Sequence, residues 1–239
     1  MIVDTHVHTV RGGYDSSLTI GQLIEEAEMK GMGAVCLTEH MHFWDKTELD
    51  SYCADHDVAL IASIEVETDM GHILAFGLDR YIPGIHRAAQ LREVADEVGA
   101  FLILAHPYRT FFDMEEFNVR PKRDWPEAVA DALDNPALQL VDAVEVLNGG
   151  CTERENLMAI EVARQLGIKG TGGSDAHSQH GLGVFATIFE REVTSQPELI
   201  AELRAGRFQP ARRLRSGEIA PYGESPLRHT SDGPHLRFP

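Results

Sequence analysis

The sequence predicts an α/β barrel, a parallel sheet closed or nearly closed on itself with its helices outside. Three observations support this. Strand-like apolar runs alternate with helical periodicity almost from end to end. About seven such units fit in about 210 residues, which suits one barrel better than an open sheet in two halves. Isolated His and acidic residues follow the apolar runs, at the strand ends where barrels of this kind carry their chemistry.

The elements follow in order. Residues 1–3 are a short apolar start leading into Asp4-Thr5-His6-Val7-His8. Thr19 precedes a helix over 20–30, with Gln22 placed to complete a capping box. Gly31 and Gly33 end it before a buried strand at 34–38. Residues 46–54 read as a second helix and 59–64 as a strand, joined through a turn at 69–71 to another at 72–78. An amphipathic helix over 87–98 precedes a strand at 101–105. Residues 110–124 lack a period, contain Phe111, Phe112 and Phe117, and read as a long loop or lid. Then come a helix at 125–133, a strand at 143–147, a helix at 153–166, strands at 168–171 and 184–189, and a last helix at 196–205. After Arg215 the chain turns Gly/Pro/Ser-rich, so the expected organisation is a barrel domain over 1–215 and a loosely structured tail over 216–239.

Composition bounds the function. The formal net charge is −17, from 21 basic and 38 acidic residues. Such a surface repels phosphate backbones, so no nucleic-acid partner is expected. Three bound divalent cations would bring the charge to about −11 and concentrate positive potential in one pocket, which still attracts a small anion. The cysteines Cys36, Cys53 and Cys151 form neither a disulfide framework nor a CxxC knuckle, so reduced thiols in a cytoplasmic protein are expected. No apolar run approaches the roughly 20 residues that span a bilayer, and no basic-then-apolar leader opens the chain.

The isolated polar residues carry the chemistry. In a strand His6 and His8 point the same way, which makes half of a metal site. Gly173-Ser174-Asp175-Ala176-His177 can supply the other half. Between them, His40 follows Leu37-Thr38-Glu39, Glu65 follows the run at 61–64, and His106 follows Ile103-Leu104-Ala105. Imidazole and carboxylate without thiolate suit Zn, Mn or Fe.

Taken in order, His6-x-His8, Thr38-Glu39-His40, Ile64-Glu65-Val66, Ala105-His106-Pro107, Glu145-Val146-Leu147-Asn148 and Gly173-Ser174-Asp175-Ala176-His177 resemble the motifs of the PHP (polymerase and histidinol phosphatase) superfamily, across residues 1–210. One departure is visible: Glu39 stands where that family usually has aspartate. The resemblance implies a distorted (β/α)7 TIM-like barrel with two or three divalent metal ions at the C-terminal ends of its strands. It implies His6, His8, Glu65 and Asp175 at a first metal. Glu65 would bridge to a second held by His106 and His72, and His40, His177 and Asp15 would serve a third. His72 also reads as a satisfied structural histidine, and Asp15 as plain turn chemistry in Tyr14-Asp15-Ser16-Ser17.

The implied activity is that of a metal-dependent phosphoesterase acting on a small phosphorylated molecule, with Glu65, Arg109 and His177 as the catalytic set. Arg109 would offer a planar fork to phosphate; otherwise it is a surface arginine paired with an acid. Asn148 orients a ligand or makes a turn with Gly149 and Gly150. His42 and His180 read as rim residues, His56 and His86 as solvated, and His229 and His235 as part of the tail. Phe43 and Trp44 suit a pocket wall or loop packing, and Glu25, Glu26 and Glu28 a charged outer face. The barrel reads as the only domain, without a polymerase segment. Two rivals remain: an amidohydrolase-like C–N or lactone hydrolase, and a non-catalytic metal-binding regulatory barrel. The Glu65 bridge and the late Asp-x-His favour the phosphoesterase.

Overall fold

The computed structural model describes residues 1–12, 15–40 and 42–222. Its first half contains β1 (Ile2–Val7), α1 (Ile20–Met29), β2 (Ala34–Glu39), α2 (Lys46–Cys53), β3 (Ala59–Thr68), β4 (Gly71–Phe76), α3 (Ala88–Val98) and β5 (Phe101–Leu104). Then follow α4 (Asp113–Glu116), α5 (Trp125–Leu133), a 3-10 turn at Pro136–Gln139, β6 (Ala143–Asn148), α6 (Glu153–Leu166) and β7 (Gly170–Gly173). The chain continues through β8 (Phe185–Phe189), α7 (Gln196–Arg204), β9 (Phe208–Arg213) and β10 (Ile219–Pro221). Local chemistry sets the helix starts: Thr19 with Gln22, Asp124 with Glu127 and Thr152 with Glu155 each form a reciprocal capping box.

The expected parallel sheet of about seven strand–helix units, closed or nearly closed, is corrected in its strand directions. The strands make one sheet in the order β10-β9-β8-β1-β2-β3-β4-β5-β6-β7, and it is mixed. The pairs β1–β2, β2–β3, β5–β6 and β6–β7 are parallel, whereas β3–β4, β4–β5, β1–β8, β8–β9 and β9–β10 are antiparallel. The physical reason lies in the connections. The chain returns from Thr68 to Gly71 through two residues, and only an antiparallel neighbour can be reached that way.

The sheet curls until β7 meets β1 without a continuous ladder between them. Thr5 Oγ1 donates to Gly172 O (3.1 Å), Asp175 N to His6 O (2.8 Å) and His8 N to Ala176 O (3.0 Å). Gly173 makes this approach possible, because a Cβ there would lie 2.5 Å from His6 Cβ and 2.6 Å from Glu145 Oε1.

Two further expectations change. The segment 110–124 contains α4 and is pinned by the buried Glu115 carboxylate, which accepts from Arg123 and pairs with Arg154 of α6 at 3.4 Å. Past Arg215 the fold continues: β10 pairs with β9 through Ile219, Ala220 and Pro221. A strand of three residues is too short to show a period in the sequence. The rest of the expected tail, including His229 and His235, lies outside the described residues.

The inner face of the curl is layered. Val3, Ala34, Cys36, Ile61, Leu74, Phe76, Phe101, Ile103 and Ala143 form its apolar lower layer, closed from below by Leu199 and Leu203 of α7. Each large apolar side chain buried here contributes about 1.5–3 kcal/mol. The same strands, followed two residues further at a time, reach the polar layer above.

Candidate metal centre

Strand alternation places the polar residues. On β3, Ile61, Ser63 and Glu65 share the inner face, as do Leu74 and His72 on β4, and Ala143 and Glu145 on β6. On β1, a register break between Asp4 and Val7 turns Val7 outward, so that His6 and His8 face inward. His106 and Asp175 lie just past the ends of β5 and β7, both with positive φ (28° and 52°). Non-glycine residues in such conformations cost energy and cluster at functional sites.

Glu65 is the hub. Its Oε1 lies 2.9 Å from His72 Nδ1 and 3.0 Å from His106 Nε2. Its Oε2 lies 3.4 Å from His6 Nε2, 3.2 Å from His8 Nε2 and 3.4 Å from His40 Nδ1. Across the pocket Asp175 Oδ1 is 3.5 Å from His6 Nε2 and 3.3 Å from His8 Nε2. Asp175 Oδ2 meets the Arg109 guanidinium, which also donates to Asn148 Oδ1 at 2.9 Å. At the mouth, Asp15 Oδ2 sits 3.5 Å from His40 Nε2 and 3.3 Å from His177 Nε2, with its side chain 47% exposed. His8 stacks between His40 and His177 with ring centroids 4.5 Å from each.

Three groups have ligand atoms close enough to share an ion: His6, His8 and Asp175; His6, Glu65 and His106; and His8, His40 and His177. The donor chemistry fits a divalent cation. His6 Nε2 and His8 Nε2 lie 3.0 Å apart and face the same carboxylates. His40 Nδ1 is buried 3.4 Å from Glu65 Oε2 without forming a hydrogen bond, and His8 Nδ1 is buried with no partner. A cation held by His6 Nε2 and His8 Nε2 would relieve this close approach of two ring nitrogens, which a single proton pairs poorly.

Electrostatics point the same way. Burial works against charge on His6, but Asp175, Glu145 and Glu65 outweigh it and push the imidazole well above its ordinary value. Burial likewise opposes the shift at His8, yet Asp175 and Glu65 raise it. The Glu65 hydrogen bond raises His72, while burial lowers His40. Against the penalty of burial, His6 and its neighbours hold Glu65 well below the usual carboxylate range, and His6, His8 and Arg109 do the same for Asp175.

The structure thus gathers His6, His8, Asp15, His40, Glu65, His72, His106, Arg109, Asp175 and His177 around one pocket. His42 and His180 stand apart: His42 packs edge-on against Trp44, and His180 is exposed. The Glu39 carboxylate turns from the imidazoles to hold the loop after His8, accepting from Thr9 N at 3.0 Å and Trp44 Nε1 at 3.0 Å. Sequence reasoning gave Glu145 no role. Its Oε1 meets His6 Nδ1 at 3.0 Å, and its Oε2 accepts from His106 N (2.9 Å) and Asn148 Nδ2 (2.8 Å). The available signal was an acid inside the otherwise apolar strand Ala143-Val144-Glu145-Val146-Leu147.

A curled α/β sheet bearing such a cluster of imidazoles and carboxylates offers groups that could hold metal ions. The chain belongs to the PHP domain family, whose family model matches residues 4–133; a second model, described as PHP-associated, matches residues 153–208. No curated protein matches the sequence closely enough to count as a relative. Among solved structures it is similar to PsfC from Pseudomonas syringae (23% identity, TM-score 0.57, covering 84% of this chain and 87% of that one). It is also similar to a protein from Bifidobacterium adolescentis described as a metal-dependent phosphoesterase (16% identity, TM-score 0.54, 84% and 95%). A third is endonuclease Q in complex with a 27-mer duplex bearing an abasic lesion at its active site (19% identity, TM-score 0.55, 86% and 57%).

That last likeness corrects the expectation that nucleic acid is excluded. Endonuclease Q shares this fold and takes a DNA duplex. A formal charge of −17 describes the whole chain, whereas the potential a phosphate meets is set locally, and bound cations would reverse it. No helix of the described residues is long and apolar enough to cross a membrane.

Proposed function

We propose that this protein is a metal-dependent phosphoesterase that hydrolyses a small phosphorylated substrate. The observation that carries this reading is the division of Glu65: one oxygen among His72 and His106, the other among His6, His8 and His40. A carboxylate so placed suits a bridge between two ions. Asp175 completes the first set, His72 joins His106 in the second, and Asp15 joins His40 and His177 in the third. Two or three ions of the Zn, Mn or Fe class would supply Lewis acidity there, acidifying water toward neutral pH and neutralising phosphoryl oxygens.

The chain's own residues do the remaining work. Arg109 is 34% exposed, anchored through Nη2 on Asp175 and Asn148 with its Nε buried, so only the exposed part of its guanidinium would meet a phosphate. His177, partly exposed and held by Nδ1 on Asp175 O (2.9 Å), keeps Nε2 at the mouth beside Asp15, where it would serve the third set. Glu145 and Asn148 fix His6, His106 and Arg109 from behind. The free thiols Cys36, Cys53 and Cys151 support a cytoplasmic setting.

Likeness to endonuclease Q favours a second substrate class, nucleic-acid phosphodiesters. Both are tested by loading the protein with Mn or Zn and offering p-nitrophenyl phosphate, bis-p-nitrophenyl phosphate, a duplex with an abasic site, and a lactone. Phosphate monoester hydrolysis supports the primary reading and diester or duplex cleavage the second. Lactone opening without action on any phosphate ester sinks both.

A further inference from the structure

Asp4 is fully buried on β1, two residues before His6, and belongs to none of the three groups that could share an ion. Its carboxylate meets three segments of the chain. Oδ1 accepts from His6 N at 3.3 Å and from Ser174 N at 2.9 Å. Oδ2 accepts from Gly183 N at 3.0 Å. Among the described residues no basic side chain pairs with this acid, so backbone amides take the place of a counter-ion.

Each contact bears on a side chain of the centre. The β1–β2 ladder breaks between Asp4 and Val7, and Oδ1 accepts His6 N within that break. Ser174 and Gly183 are the two ends of the loop that carries Asp175 and His177, so one carboxylate holds both ends. Gly183 reaches it in the left-handed conformation that glycine adopts freely (φ 67°). Asp175 N donates to His6 O at 2.8 Å, so the successive amides of Ser174 and Asp175 are both fixed on β1. Asp175 itself has φ 52°, a region that residues bearing a side chain enter under strain. From that backbone its Oδ1 comes within 3.5 Å of His6 Nε2 and 3.3 Å of His8 Nε2.

We infer that Asp4 is a positioning residue of the metal centre: its carboxylate steadies the inward turn of His6 and clamps both ends of the loop that presents Asp175 and His177. The inference rests on the reading of those side chains as metal-holding.

The test uses two variants. Asp4→Ala removes every acceptor, whereas Asp4→Asn keeps the size and leaves one acceptor oxygen. Should Asp4→Ala not fold, Asp4→Asn decides. In metal-stripped protein the amides of Ser174, Asp175 and Gly183 should exchange with solvent about tenfold faster than in the wild type, while the β4–β5 ladder keeps its protection. Zn affinity, read by competition against a chelator, should fall about 10-fold in Asp4→Asn and about 100-fold in Asp4→Ala. The visible spectrum of the Co(II) form should change shape with it. Leu199→Ala, a truncation in the lower apolar layer, should lose stability yet keep both affinity and spectrum. Wild-type exchange at the three amides overturns the inference even if metal binding weakens, because loss of a nearby charge accounts for that alone. Faster exchange with unchanged affinity and spectrum makes the clamp structural only and overturns it too. A wild type that takes up no divalent ion overturns the reading of the centre instead, and exchange then decides alone whether Asp4 sets the loop.

Discussion

Glu145 holds His6 from behind: its Oε1 sits 3.0 Å from His6 Nδ1, while Nε2 of the same ring faces Glu65 and Asp175. A carboxylate in that position fixes both the ring orientation and the tautomer that leaves Nε2 free for an ion. Glu145→Gln should therefore weaken metal binding by about 10–100-fold while leaving the fold intact. Competition titration against a chelator checks this; unchanged affinity would mean that the contact is only structural.

The imidazole shifts set a pH dependence. His6 and His8 are raised above the ordinary 6.5, so in the metal-free protein their protonated forms contribute stability below that pH. That contribution is lost as pH rises through the folded values. A metal replaces those protons, so the gap in Tm between metal-loaded and metal-stripped protein should widen as pH rises from about 5.5 to 8. A gap that stays constant or narrows would show that His6 and His8 do not exchange protons for metal.

Arg109→Lys keeps the charge and removes the planar fork that reaches Asp175 and Asn148 together. Losing one charge-assisted hydrogen bond, worth about 1.5–3 kcal/mol, should lower kcat/KM for a phosphate ester by about 10–150-fold. Steady-state kinetics check this. A loss confined to Tm, with kinetics preserved, would assign Arg109 to structure alone.

Stability should depend on the helix that closes the curl. Leu199 is fully buried among Val3, Phe76 and Phe101, so Leu199→Ala should cost about 2–5 kcal/mol in urea unfolding. A cost below 1 kcal/mol would show that α7 is not part of the core.

Much of the fold was legible in the sequence because helices announce themselves by period and caps. The span of α6 coincides with its predicted bounds, and Thr19 and Gln22 form the predicted capping box. The antiparallel β3–β4 pair was missed although the turn at 69–71 was read, because alternation of elements does not reveal strand direction. The register break in β1 was invisible too, although it settles which way Val7 turns. For the candidate site, His6, His8, His40, Glu65, His106, Asp175 and His177 follow apolar runs near strand ends and are conspicuous, whereas His72 and Asp15 were implied only by the family resemblance. Glu145 was passed over because a residue that only supports another side chain carries no spacing signal of its own.

The most direct measurement is metal content by inductively coupled plasma mass spectrometry, paired with phosphate release, for the wild type and Glu65→Ala. With Glu65 as the bridge, the wild type should bind two or three divalent ions per chain and hydrolyse a phosphate ester, and the variant should lose one or two ions and its turnover together. Full turnover with an undiminished complement of metal in Glu65→Ala would contradict the bridged centre.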